Sequence, residues 1–209
     1  MTGIQRLAAL YRAAGLPGWY LWLKLRILPL DACSRFMPRE GTILDVGCGY
    51  GFLANFLSLE HASRRVIGND PDLPRIAVAR RTVGSRGNIE FLDVDSRSLP
   101  VRDLDGVLMA DVLHHVPYEE QQVILRDLYR KLKQGGTLLI RETNKVPDPR
   151  YILLHCVLET LLYLGKERMR FRRAGEWSSM LQSVGFTIRH TESSPLHALY
   201  LTTIFVCTK

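Results

Sequence analysis

The chain has 209 residues, 46% of them hydrophobic and 23% charged, with a formal net charge of +7; this suits one globular domain with a substantial core and argues against disorder. Its four cysteines, Cys33, Cys48, Cys156 and Cys207, lie far apart, which excludes a C-x-x-C zinc or redox site and favours a reducing, cytoplasmic setting. The most apolar stretch, Trp19 to Leu30, contains Lys24, Arg26 and Pro29 and falls short of the roughly 20 apolar residues of a membrane span, and the N-terminus lacks the order of a signal peptide.

Residues 1–40 carry six Lys/Arg against two Asp/Glu, a local charge of +4, and are expected to form a helical cover. Within them "WYLWLKLRILPLDACSRF" is apolar over most of its circumference, with Lys24, Asp31 and Arg35 as a narrow polar stripe. Pro29 should kink or split that helix. From Thr42 onward, short apolar runs alternate with helical patterns. Strands are predicted at 42–46, 65–69, 89–93, 106–110 and 137–141, and helices at 52–58, 73–83 and 119–132. Such alternation reads as a parallel sheet wrapped by helices. Runs such as "GVLMA" and "TLLI" are continuously apolar, as strands buried on both faces are. Pro117 and acidic residues open the helix near Glu119, and Gly135-Gly136 is expected to stop it before the next strand.

Residues 41–143 are nearly neutral, with thirteen Lys/Arg against fourteen Asp/Glu, whereas 144–209 carry nine against five. After the core comes "YILLHCVLETLLYLG", with His155 and Glu159 on one face, and then the basic run "KERMRFRR" at 166–173. A helix at 176–183 ends at Gly185. Strand-like 186–190 and 199–207 follow, joined by the turn residues "ESSP", which predicts an antiparallel hairpin. The expected organisation is one domain over 1–209. It comprises an N-terminal helical cover (1–40), a core (41–143), a helical lid insertion (144–173), and a terminal helix with hairpin (174–209).

The chemistry rests on "ILDVGCGYG", residues 43–51. A strand ends at Asp45-Val46, and Gly47, Gly49 and Gly51 turn the chain into a helix, leaving room for a ligand against the backbone. A dinucleotide fingerprint G-x-G-x-x-G requires glycine at 52, where this chain has Phe52. The spacing is instead acidic-x-G-x-G-x-G, which resembles the first motif of the class I S-adenosylmethionine (SAM)-dependent methyltransferases. Asp70 ends the second strand, where a carboxylate can accept from both ribose hydroxyls of a bound nucleoside. "DSRSLP" (95–100) resembles the family's D-x-x-x-L-P pattern.

The resemblance covers 41–143 well and 174–209 loosely. It implies a Rossmann-like, doubly wound, mostly parallel seven-stranded sheet of order 3-2-1-4-5-7-6 with an antiparallel C-terminal hairpin. It also implies SAM as cofactor, with Asp95 on the adenine amine and Ser96 contacting the ring through its backbone; Asp93 is the alternative to Asp95. "LDGVLMADVLHHVP" (104–117), which contains Asp111, would pass beneath the methionine half. Taken singly, Asp45 could cap a turn, Asp70 could be solvated and Asp95 could begin a loop. Their joint spacing is what carries the resemblance.

Methyl transfer from a sulfonium draws mainly on alignment and water exclusion, and a base is needed only for a poorly ionised acceptor. His114, His115 and Glu142 are the candidates, at the C-terminal ends of the fourth and fifth strands. His115 is preferred because many relatives place a histidine there. Two adjacent histidines on one turn cannot both face a cleft, and for each the alternative is a structural role. His155 is a weaker candidate, and His61, His190 and His197 are peripheral.

The apolar, basic flanks point to a small, hydrophobic or lipid-linked methyl acceptor, with peripheral contact to an anionic membrane. Lys24, Arg26 and Arg35 lie among Trp19, Trp22 and leucines, and Lys166, Arg168, Arg170, Arg172 and Arg173 form a second basic group. The alternative is that both tryptophans are buried and the arginines merely solvated. An RNA or protein methyltransferase would use the same flanks, but no nucleic-acid module is appended and no Asn/Asp-Pro-Pro-aromatic motif follows the fourth strand, so nucleic acid is disfavoured. A non-catalytic SAM-binding subunit is the remaining reading.

Overall fold

The computed structural model describes residues 2–145, 169–196 and 200–209. Its strands are β1 (Gly41–Val46), β2 (Arg64–Asn69), β3 (Ile89–Leu92), β4 (Leu104–Ala110), β5 (Leu132–Thr143), β6 (Thr187–Leu196) and β7 (Tyr200–Thr208). They form one sheet in the order β3-β2-β1-β4-β5-β7-β6. The first five are mutually parallel, while β7 runs antiparallel to both β5 and β6. This is the order expected from the resemblance.

Alternation along the strands feeds two cores, one on each side of the sheet. Ile43, Val66 and Leu108 join the first with Leu7, Tyr11, Leu53 and Leu57, whereas Leu44, Ile67 and Val107 join the second with Leu125, Leu128 and Trp177. The helices supplying the first side are α1 (Gly3–Ala13), α2 (Gly18–Ile27), α3 (Leu30–Phe36), α4 (Phe52–Glu60) and α5 (Leu73–Arg81). The second side is covered by α6 (Tyr118–Lys131) and α7 (Ala174–Val184). Burial on both faces is why the central strands lack polar alternation.

The N-terminal cover splits at Pro29, as its fixed φ and missing N–H require. Helix α1 opens with a capping box between Thr2 and Gln5. It braces α4 from behind: the Tyr11 ring stacks on Phe52 at 4.1 Å, and its hydroxyl donates to the Tyr50 carbonyl at 2.7 Å. Fully buried Arg64 donates to the carbonyls of Pro38 (2.7 Å) and Leu57 (3.1 Å), tying the end of α3 to the end of α4.

Two expectations need correction. "ESSP" is not the hairpin turn: β6 continues through 192–195 and pairs as far as Leu196 with Tyr200. As the last strand in the sheet order, β6 tolerates the missing N–H of Pro195, which a central strand would not. Gly135-Gly136 does not stop α6 either. The helix ends at Lys131, and β5 begins at once with Leu132 paired to Leu104. The glycines belong to an irregularity in β5, where Gly135 takes a left-handed φ of 78° and donates its amide to the Lys209 carbonyl, while the Lys209 amide donates to the Gly136 carbonyl.

Candidate active site

The parallel strands end at a cleft of about 400 Å³, the place where open α/β sheets bind ligands. Its floor begins with the loop after β1. Gly47, Gly49 and Gly51 take φ values of 64°, 54° and 77°, all in the left-handed region that favours glycine. Their surroundings differ. A Cβ on Gly49 would meet only the Arg75 Cδ, at 3.9 Å, whereas one on Gly51 would strike the Phe91 ring at 2.5 Å and one on Gly47 the Val112 side chain at 2.6 Å. Gly47 and Gly49 line the cleft. Gly51 faces the core and begins α4, so its glycine requirement is one of packing.

The carboxylates follow in order. Asp45 is buried and accepts the Ala54 amide at 2.9 Å, joining β1 to α4. Burial pushes its carboxyl up to about 7; the Ala54 amide opposes that rise and the charge of Asp70 adds to it. Asp70 accepts from the amides of Gly49 (2.8 Å) and Asp72 (2.9 Å), so the acid at the end of β2 shapes the glycine loop. Asp95 lines the cleft and is paired with Arg97, whose backbone N, Nε and Nη2 reach it at 2.8, 2.9 and 3.0 Å. Ser96 also lines the cleft, and its carbonyl accepts Lys131 Nζ at 3.2 Å. Asp93 pairs instead with Arg80 at 2.6 Å and stays outside the cleft.

Asp111, just past β4, has a φ of 58°, costly for a residue with a side chain. Its Oδ2 pairs with buried Arg141, while among the described residues Oδ1 is buried with no partner. Asn69 Oδ1, at the end of β2, is likewise buried and unpartnered, and both residues line the cleft. Two orphaned acceptors beside an open glycine backbone suit a ligand with donors at both ends. SAM has such donors in its adenine amine and its α-ammonium group.

The two histidines part company. His115 lines the cleft. His114 is buried, its Nδ1 lies 2.7 Å from Glu142 Oε2, and Phe171 stacks on its ring at 5.2 Å. Glu142 is fully buried, and its Oε1 accepts the amides of Val112 (3.1 Å) and Leu113 (2.7 Å). His114 and Glu142 therefore lie behind the turn that presents His115, and neither lines the cleft. His61 caps the end of α4 and His190 lies beside Glu192 on β6, both away from the cleft.

Among the lining residues that escaped the sequence reading, three come from the α2 segment: Tyr20, Lys24 and Leu28. Their i, i+4, i+8 spacing was visible, but nothing in it said which face of an almost uniformly apolar helix meets the site. Helix α3 contributes no lining residue. Residues 169–173 cross near the histidines: the Arg170 amide donates to the His114 carbonyl at 2.8 Å, and the Tyr118 hydroxyl to that of Phe171 at 3.1 Å. The rest of the lid expectation, including His155, Glu159, Lys166 and Arg168, lies outside the described residues, as does His197.

A sequence model described as a methyltransferase domain matches residues 44–140, the span that builds this cleft. Together with the fold, this match supports placing residues 44–140 in the class I SAM-dependent methyltransferase family. A demethylmenaquinone methyltransferase of Thermus thermophilus is 33% identical over 138 residues, covering 65% of this chain and 61% of that protein. A carboxy-S-adenosyl-L-methionine synthase of Mannheimia succiniciproducens is 27% identical over 120 residues, covering 55% and 50%. The chain thus spans between half and about three-fifths of these relatives' length. The structure of a magnesium protoporphyrin IX methyltransferase from Synechocystis, solved with bound S-adenosylhomocysteine, matches with a TM-score of 0.66 at 22% identity, covering 86% of this chain and 78% of that one. That likeness is one of fold.

Proposed function

We propose that the cleft binds SAM and that the protein transfers its methyl group to a small, hydrophobic or lipid-linked acceptor. The observation that carries the cofactor reading is the pairing of an open Gly49 backbone with two buried acceptors that have no partner among the described residues, Asn69 Oδ1 and Asp111 Oδ1, in one cleft. Asp70 offers its carboxylate to the ribose, Asp95 and the Ser96 backbone flank the adenine, and Gly47 and Gly49 admit the ligand to the backbone. Asp111 receives the α-ammonium group, and Lys24, on the facing helix, meets the α-carboxylate. Asp45 supports the loop from below by holding α4 to β1.

When bound, SAM supplies an activated methyl group whose leaving thioether needs no proton. Catalysis by the chain is then largely positioning and exclusion of water. His115 is the group placed to accept a proton from an acceptor hydroxyl or carbon acid. His114 and Glu142 position it by fixing the turn. The acceptor class is supported by the apolar cleft wall of Tyr20 and Leu28 and by the quinone named for one relative.

A screen with methyl-labelled SAM against lipid extract, a small-molecule panel and total RNA tests this reading. Label should enter a low-molecular-weight, organic-extractable product, with S-adenosylhomocysteine formed in equal amount. Label in RNA or protein overturns the acceptor class. Failure of calorimetry to detect cofactor binding overturns the whole reading.

A further inference from the structure

Helix α2 has two working faces. Tyr20, Lys24 and Leu28 line the cleft, while Trp19 and Trp22 are 68% and 57% exposed. Arg26, also exposed, sits over the Trp22 ring at 4.4 Å. Positions 19, 22 and 26 follow i, i+3, i+7 and so share one stripe, nearly opposite the stripe of 20, 24 and 28. Large exposed aromatics on a ten-residue helix are poorly explained by folding, since most of their surface stays in solvent.

The charges around them are of one sign. Residues 1–30 contain Arg6, Arg12, Lys24 and Arg26 and no Asp or Glu. Several other cations of the flanks are already engaged, although Arg173 stays exposed. Arg35 is paired with Glu192, Arg172 lies over Tyr118 and donates to Gln121, and Arg170 donates to the His115 carbonyl. Among the described residues, then, the basic segment at 169–173 is largely committed to packing, and α2 offers the exposed aromatic and basic face. Among those residues no helix is long and apolar enough to cross a membrane.

From this geometry we infer that α2 docks on an anionic lipid surface through Trp19, Trp22 and Arg26, so that its opposite face, the wall of the cleft, meets acceptors drawn from that surface. Tryptophan rings settle at the boundary between headgroups and acyl chains, and the acid-free segment supplies the electrostatic attraction. The role in acceptor delivery rests on the hydrophobic-acceptor reading above, but the docking does not.

The full chain provides its own reporter, because its third tryptophan, Trp177, is only 1% exposed and contributes a constant background. With phosphatidylglycerol–phosphatidylcholine vesicles at low salt, the protein should co-sediment several-fold more than with phosphatidylcholine alone, and its emission should shift to the blue. High salt should reverse both effects. The Trp19→Ser/Trp22→Ser double variant should lose the shift and about tenfold in partitioning, and Arg26→Glu should lose partitioning by a similar factor, each with unchanged calorimetric affinity for SAM. Equal sedimentation with both vesicle types overturns the proposal, as does a shift retained in the double variant. So does a concentration-dependent dimer abolished by the double substitution, which would make the face a contact between copies. Loss of vesicle binding with intact cofactor binding sinks the docking alone; absent cofactor binding sinks the functional reading alone.

Discussion

At the scale of single residues, the three glycines of one motif do different work. Gly49→Ala and Gly51→Ala both force a side chain into left-handed backbone, a strain of about 1 kcal/mol or more. Only at Gly51 does the new methyl also strike the core, through Phe91. Gly51→Ala should therefore lower the thermal midpoint far more, while Gly49→Ala should weaken SAM binding at a smaller loss of stability. Equal effects of both on binding and melting would place the two glycines in the same role. Asp45 predicts a pH dependence. Its carboxyl sits near 7 in the fold against an ordinary value of 3.8, so between these values the native state keeps a proton that the unfolded chain releases. The stability this group contributes is complete below about pH 4 and lost as pH rises to about 7. Asp45→Asn retains an acceptor for the Ala54 amide and has no charge to bury. Its stability, read from its melting curve, should gain on the parent from pH 5 to pH 8, by an amount on the order of 2 kcal/mol at the upper end. A difference that is flat across that range would show that Asp45 ionises normally.

At the scale of elements, the site is a contract between the sheet and α2. The loops after β1, β2 and β4 offer acceptors and backbone, and Arg141 of β5 pairs with Asp111, but a second cation near Asp111, Lys24, comes from outside the core. Burial lowers the pKa of Lys24, nearby Asp111 pushes it back up, and Arg75 and Arg141 lower it further. Among the described residues the Lys24 ammonium makes no ion pair; it lies over the face of Tyr20, 5.6 Å from the ring centre. A bound carboxylate would relieve that position. Lys24→Met should weaken SAM binding about tenfold, the scale of one charge-assisted hydrogen bond. It should leave the affinity for 5′-methylthioadenosine, which lacks the amino-acid half, unchanged. Equal losses for both ligands would mean that Lys24 acts on the cleft's shape and not on the carboxylate.

At the scale of the molecule, two hydrophobic cores back a sheet whose C-terminal edge is left for ligands, and a helix from the N-terminal cover closes one wall. Much of this was legible in the chain. Continuous apolar runs identified β1, β4 and much of β5 because strands covered on both faces have no exposed side to mark. "ILDVGCGYG" located the ligand loop because closely spaced glycines after a strand admit a backbone turn that other residues resist. Asp45 and Asp70 could be placed from spacing, and Asp95 and Asp111 from the family resemblance, since each stands at or just beyond a strand end. Local pattern misjudged "ESSP" and Gly135-Gly136: turn-forming residues also occur at sheet edges and in strand irregularities, and only pairing tells these apart. Nor could it separate His114 from His115, or Gly51 from Gly49, because adjacent or alternate residues in a tight turn face core or cleft according to what packs behind them. The charge of α2 was plain in the sequence; which of its faces meets the cleft and which meets solvent was decided by tertiary packing, since a helix apolar on nearly every side carries no local preference.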